Sequence, residues 1–460
     1  MKLDWGKTFL IGFGFFGISI MWQIYNLFMP IFLQAGSPEF EMGAETAVVG
    51  FGLGAGLAGF IMTLDNIAAL FILPVIGVWS DRTRTRIGRR MPYILVGAPL
   101  AAVAFALIPV TMGLVPPGAS GSIRGAAFGP FIFLMIAASV MLLAMAAFRT
   151  PVIALMPDLI PSEHRSRANG VINFMGGVGG LVAAFGLSRL FDINIAWPFW
   201  AGSVLLLVAI LLLFLTIKEP EVGESSEERG GAFGALKEAV ALPAEHRRSL
   251  IFLMLAIFAW FVGYNAIETF FSSYAVTTLG VSSGNAGLLF GVALLLFILF
   301  SIPAGLIGAK VGRRKTIITG LVVFGVLLVA VYFVPALFGG STTMRMPVLG
   351  EASPAVPVIA IMLAIGGASW ALVNINSLPM VVDISEDDRL LGTFTGLYYL
   401  ASQLAAIVGP VLNGAIIDLT GLGGGPRNYN VIFFVTPIFF ALAVVAMLLV
   451  TRGEAHKTEA

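Results

Sequence analysis

The sequence predicts an all-α polytopic membrane protein whose twelve transmembrane helices form two pseudo-symmetric six-helix bundles. Three observations carry that expectation: a composition too apolar for a water-facing surface, twelve apolar stretches of crossing length, and two halves that echo each other. Of 460 residues, 58% are hydrophobic before 54 glycines are counted, and 11% are charged, against about 25% charged in globular proteins. The absence of cysteine excludes disulfides and thiolate metal sites. His164, His246 and His456 all lie in polar segments, which argues against a histidine proton relay within the bilayer. No nucleotide loop, metal cluster or nucleophile–base pair is present, so an enzyme is not expected, nor is a nucleic-acid partner.

A helix needs ~20 apolar residues to cross a bilayer. The first stretch, 8–33, follows MKLDWGK and has no small-residue cleavage site, so it reads as a retained helix rather than a signal peptide. The next five are 47–79, 92–113, 128–157, 168–191 and 197–217. The polar segment 218–248 reads as a linker, with a short surface helix at 233–242. Six more stretches follow at 249–279, 284–309, 315–338, 355–382, 392–418 and 430–451. Several are longer than a crossing requires, so tilts or kinks are expected, particularly near Pro30, Pro74, Pro303 and Pro410. The domains predicted are therefore 1–217, the linker 218–248, and 249–460. With the N-terminus inside, 21 lysines and arginines fall in inner segments and three (Arg124, Arg345, Arg427) in outer loops. This asymmetry places both termini in the cytoplasm.

The two halves match at a near-constant offset. Gly88-Arg89-Arg90 maps onto Gly312-Arg313-Arg314 at 224, Asp158 onto Asp383 at 225, and Arg165 onto Arg389 at 224. Parallel six-helix repeats of this kind are a built-in symmetry of secondary transporters.

The loop after the second span, Gly77 followed by SDRTRTRIGRRMPYI (80–94), and its degenerate copy IPAGLIGAKVGRRK (302–315) resemble the signature of the major facilitator superfamily. The longer form, with PDLIPSEHRSRANG (157–170), resembles the sugar:cation symporters of that superfamily, the glycoside–pentoside–hexuronide and sucrose symporter groups. The resemblance implies the major facilitator fold, alternating access, function as a monomer in the plasma membrane, and a sugar as substrate. A disaccharide or glucoside such as sucrose or maltose, carried with a proton, is the expectation. The alternative is a drug or metabolite proton antiporter. No cofactor is expected, and sodium stays open as the coupling ion.

The same resemblance suggests a conformational latch at the cytoplasmic loops: Asp81 pairing across the halves near the eleventh helix, with Arg82, Gly88, Arg89, Arg90, Arg313, Arg314, Asp383 and Glu386 around it. Asp383 and Glu386 would pair with Arg86, Arg89 or Arg90, and Asp158 with Arg313 or Arg314. The alternative is a set of positive-inside anchors with local ion pairs.

Ionisable groups within spans cost at least ~2.5–3.5 kcal/mol on insertion scales, so Asp65, Arg149 and Glu268 each need a reason. Glu268 lies on one helical face with Tyr264, Asn265 and Ser272. Burial penalises its charged form, which suits a group that takes up and releases a proton; the alternative is a structural hydrogen bond. Asp65, beside Asn66, reads as a sugar-hydroxyl acceptor, a second proton site or a partner of Arg149. Arg149 has a permanent charge and can neutralise Asp65 or Glu268. Polar stripes run along the first span (Ser19, Gln23, Asn26, with Trp22 and Tyr25), the tenth (Trp370, Asn374, Ser377) and the eleventh (Tyr399, Gln403). Amides and aromatic faces suit a polar, uncharged ligand, while interhelical hydrogen bonding is their ordinary alternative.

Overall fold

The computed structural model describes residues 5–43, 48–160, 165–219, 243–338, 344–346, 350–384 and 391–454. Among them, twelve helical spans are long and apolar enough to cross a membrane. Spans 1 to 6 are Trp5–Gln34, Ala55–Met62 continued by Leu64–Arg82, Met91–Gly113, Phe128–Leu159, Arg165–Leu181 with its extension to Ile193, and Trp197–Thr216. Spans 7 to 12 are Ala244–Leu279, Ser283–Val311, Arg313–Phe338, Ala355–Val382, Leu391–Thr420 and Ile432–Leu448. Large apolar side chains such as Phe71, Val96, Ile302 and Leu337 are exposed, as expected of helices whose solvent is lipid.

Packing follows the repeat. Span 1 packs on spans 5 and 6, span 3 on spans 4 and 6, and span 2 on span 4. In the second half, span 7 packs on 11 and 12, span 9 on 10 and 12, and span 8 on 10. Each of these contacts in one bundle has its counterpart in the other. Glycines allow the closest approaches. A Cβ on Gly179 of span 5 would lie 3.1 Å from the Phe16 Cα of span 1, and one on Gly320 of span 9 would lie 2.7 Å from the Ser369 carbonyl oxygen of span 10.

Three local features differ from the sequence expectation. The second span starts at Ala55 rather than 47. Residues 48–54 are non-helical because their backbone is bonded elsewhere: Phe51, Gly52 and Leu53 donate to the carbonyls of Phe32, Ala35 and Leu33 at 3.1, 2.8 and 2.8 Å. Gly52 sits at φ +60°, a conformation glycine adopts without cost. Span 2 also breaks at Thr63, whose hydroxyl donates to the Phe60 carbonyl at 2.8 Å, so Asp65 falls in the first turn of Leu64–Arg82. A carboxylate is favoured there by the helix dipole. Span 5 carries a π-helical turn, Val182–Leu187, that hydropathy does not reveal. Pro30, Pro303 and Pro410 lie inside continuous helices. The surface helix expected at 233–242 lies outside the described residues.

Candidate functional site

The two bundles meet closely at the end away from the termini. The Asp418 carboxylate of span 11 accepts from the backbone amides of Ala55 and Gly56, both at 2.8 Å. Arg427 is 2.8 Å from Asp418 and 3.1 Å from Glu39. Asp192, ending span 5, accepts from the Ser282 hydroxyl at 2.6 Å and the Gly284 amide at 2.9 Å. Ser273 of span 7 donates to the Gln34 Oε1 of span 1 at 2.7 Å. Burial works against ionisation of Glu39, but polar contacts with Ser37 and the amides of Glu39 and Arg427, with the Arg427 charge, leave its carboxyl below the ordinary value.

Towards the termini this contact thins. Ala55–Met62 packs extensively on span 11, whereas Leu64–Arg82 barely touches it. Tyr399 of span 11 is 56% exposed. Arg149 keeps accessible surface although the bulk of the protein surrounds it. Arg149 interacts by charge with Asp65 and lies near the Tyr399 hydroxyl, from spans in both bundles, so its accessible surface faces a cleft between the bundles rather than lipid.

Mid-span, Asn26 of span 1 donates to the Glu268 Oε1 of span 7 at 3.1 Å, one polar bond joining the two bundles. Asp65 interacts by charge with Arg149 and Glu268, with no direct ion pair between Asp65 and Arg149 among the described residues. Asn66 donates to the Asp65 Oδ1 at 3.0 Å. The structure thus brings Asn26, Asp65, Arg149, Glu268 and Tyr399 into one cluster. Tyr264 stacks on Trp370 with ring centroids 4.0 Å apart and planes 4° off parallel. Gln23, Asn374 and Gln403 are half-buried.

Two expected ligand contacts are placed differently. The Asn265 amide is turned back to its own helix, donating to the Phe261 carbonyl at 2.7 Å, and its Cβ is 3.3 Å from the position of a Cβ on Gly409. Tyr25 is buried at 1% exposure and packs edge-on to Trp22 at 5.9 Å, so it shapes the wall rather than presenting a free face.

Among the described residues, Asp158 and Asp383 pair within their own bundles, where the latch expectation had them reach across. Asp158 binds the Nη2 of Arg89 at 2.6 Å and the Nε of Arg90 at 3.0 Å. Asp383 pairs with Arg313. Glu219 accepts from the amides of Arg90 and Met91 at the start of span 3. Glu454 accepts from the amides of Arg313 and Arg314 at the start of span 9. The reason is geometric: in this conformation the bundles diverge at that end, so each acid meets the arginines of its own repeat first. Arg82 is exposed, and Gly88 takes φ +109° with Glu219 beneath it. Asp81 lies in the last turn of Leu64–Arg82; Glu386 lies outside the described residues. Sequence reasoning missed Asp192, Asp418 and Glu39. The repeat offset held a signal for the first two, because they lie 226 residues apart, close to the offsets of 224 and 225 already seen.

Two packed six-helix bundles, closed at one end around a polar, charged cleft, are the architecture of the major facilitator fold. The chain belongs to the MFS/sugar transport protein family, whose profile matches residues 10–452. It is 30% identical over 184 residues to a symporter of Synechocystis, covering 39% of this chain and 30% of that one. It is 27% identical over 136 residues to the sucrose transport protein SUT4 of Oryza sativa subsp. indica, covering 28% and 23%. The chain thus spans less than a third of the length of these curated relatives. A hexuronate transporter of Bacillus subtilis matches more widely, at 24% identity over 65% of this chain and 69% of its own. Among solved structures, the nucleoside transporter NupG superposes with a TM-score of 0.67 at 14% identity, covering 97% of this chain and all of that one. A bacterial homologue of ferroportin in the inward-facing state superposes at 0.68 and 14%, covering 97% and 99%.

Proposed function

We propose that the protein is a proton-coupled sugar symporter of the plasma membrane, both termini cytoplasmic, carrying a disaccharide or glucoside such as sucrose or maltose by alternating access. The observation that carries this reading is the Asn26–Glu268 hydrogen bond between the bundles, set beside Asp65 and Arg149. Two carboxylates face one permanent cation in a cleft, so uptake of one proton brings the cluster to neutrality. A neutral cluster crosses the low-dielectric middle of the cycle at less cost than a charged one.

The sugar enters this scheme through the amides. A substrate hydroxyl that takes the Asn26 donor leaves Glu268 without its hydrogen bond, which favours the protonated acid. Sugar binding and protonation then reinforce each other, the thermodynamic requirement for coupling. The half-buried Tyr264, backed by Trp370 stacked on its other face, and the half-buried Gln23, Asn374 and Gln403 offer an apolar ring face and amide partners to a pyranose. The relatives named for sucrose and hexuronate transport support this substrate class. With the basic segments inside, the open end faces the cytoplasm, and the conformation is inward-facing.

Uptake of labelled sucrose and maltose into proteoliposomes tests the reading, with a pH gradient, a sodium gradient or neither. Accumulation driven by the pH gradient alone, lost in Glu268→Gln while sugar exchange persists, is the expected result. Sodium-driven accumulation would overturn proton coupling, and no sugar movement under any gradient would overturn the substrate class.

A further inference from the structure

The closed end is held by one device used twice. Asp418, at the end of span 11 in the second bundle, accepts from the amides of Ala55 and Gly56, which open span 2 in the first. Asp192, at the end of span 5 in the first bundle, accepts from Gly284 and Ser282, which open span 8 in the second. Asp192 maps to Asp418 at an offset of 226, and Gly56 to Gly284 at 228. Each bundle therefore offers a carboxylate to the free amides of a helix start in its partner. Such amides have no acceptor within their own helix, and the dipole of the helix favours a negative charge there.

The matched amide donors Gly56 and Gly284 are glycines for a steric reason. A Cβ on Gly284 would lie 2.5 Å from the Asp192 Oδ2, and one on Gly56 would lie 3.0 Å from the Asp418 Oδ2. The two copies differ in what backs the acid. Ser282 both donates to Asp192 and accepts from the Asn285 amide at 3.2 Å, while the matching position in the other copy is Gly54. There Arg427 takes over, donating to Asp418 and to Glu39.

We infer that Asp192 and Asp418 are a pseudo-symmetric pair of gate residues that hold the mouth opposite the termini shut, and whose release from the span 8 and span 2 helix starts is the step that opens it. The bonds join the two bundles and nothing within one, so they form in the closed-mouth state and break when the bundles rock apart there. They are positioning residues, remote from the Asn26–Glu268 cluster, and set how readily the mouth opens. The terminal end has the same chemistry in a different use: Glu219 and Glu454 cap spans 3 and 9 of their own bundles and hold each bundle rigid. The inference rests on the alternating-access part of the proposed function and on neither its substrate nor its ion.

The chain has no cysteine, so spin labels can be placed without background. One pair, Leu114→Cys and Leu422→Cys, spans the closed mouth at exposed sites; a second, Thr216→Cys and Val311→Cys, spans the terminal end. Distances are read by double electron–electron resonance in lipid nanodiscs, without sugar or gradient. In Asp192→Asn the ratio of long to short distances across the mouth should rise roughly fivefold, and roughly 25-fold when Asp418→Asn is added, while the terminal pair moves closer. Ser282→Ala and Arg427→Gln, which leave both acids in place, should shift it in the same direction by less. They decide the matter if the aspartate variants do not fold. Unchanged mouth distances in every folded variant would overturn the inference, as would equal loosening at both ends. Because no sugar or ion enters, this outcome is independent of whether sugar uptake succeeds.

Discussion

Asp158 and Asp383 occupy matching places in the two repeats, yet their loss should differ severalfold in cost. Asp158 serves two guanidiniums at once, with contacts of 2.6, 3.0 and 3.3 Å to Arg89 and Arg90. Those arginines are 7% and 5% exposed, and Arg90 also donates to the buried Ser80 hydroxyl at 2.6 Å. Replacing Asp158 by Asn takes a carboxylate away from two buried cations, with Glu219 3.9 Å from the Arg89 Nε. Breaking a buried pair by removing one partner costs ~3–5 kcal/mol. Asp383 holds a single arginine, and both side chains are partly exposed, at 34% and 17%; exposed pairs contribute ~0–1 kcal/mol. Thermal unfolding of purified Asp158→Asn and Asp383→Asn in one detergent measures the contrast. Asp158→Asn should lower Tm by several degrees and Asp383→Asn by about a degree or less, given these costs. Equal shifts, or a larger shift for Asp383→Asn, would refute the argument that burial and not repeat position sets the value of these acids.

Other outcomes follow from the same geometry. Because the folded Glu39 carboxyl is held below its ordinary value of 4.5, its contribution to the closed mouth is fully present above that value and is lost as pH falls through the depressed one. Mouth distances measured from pH 7 to pH 3 should lengthen at the acid end, and Glu39→Gln should lengthen them near pH 7, not at the acid end, and so flatten the profile; an identical profile in that variant counts against the contact. Gly179→Ala forces a methyl against the Phe16 backbone, whereas Gly186→Ala in the same span meets nothing within 4 Å. The first should cost ~1–3 kcal/mol by overpacking and the second should cost much less, read as Tm, and a similar loss in both would contradict the packing described. Trp370→Ala removes the ring that backs Tyr264 and should raise the KM for sugar roughly two- to tenfold, given ~0.5–1.5 kcal/mol for an aromatic contact beyond its buried area. An unchanged KM would remove this pair from the binding surface.

Much of the fold was legible in the sequence because a bilayer makes strict local demands. A spanning segment must satisfy its own backbone and present apolar side chains, so helices of at least ~20 apolar residues are forced wherever such stretches occur. Ala355–Val382 coincides with the stretch read at 355–382, and Met91–Gly113 differs by one residue. The repeat offset likewise anticipated the matched packing of the two bundles. Hydropathy failed where backbone bonds went outside the helix: residues 48–54 are apolar enough to continue span 2, but their amides bond to the end of span 1 and the loop beyond it.

The candidate site divides along the same line. An ionisable side chain in an apolar run is conspicuous, so Asp65, Arg149 and Glu268 could be singled out by type and place alone. Which partner each one meets depends on how two bundles sit at one moment of a cycle, and sequence spacing does not encode that. Asn26 and Glu268 are 242 residues apart, Gly56 and Asp418 are 362 apart, and a small rotation of one bundle makes or breaks both contacts. The terminal-end acids show the converse: Asp158 and Asp383 were expected across the interface and are found within their own bundles. The sequence alone determined the spans, the repeat and the charged residues, because local free energies of transfer decide them. Only the tertiary structure decided which mouth is shut and which acids shut it, because those depend on the relative placement of surfaces hundreds of residues apart.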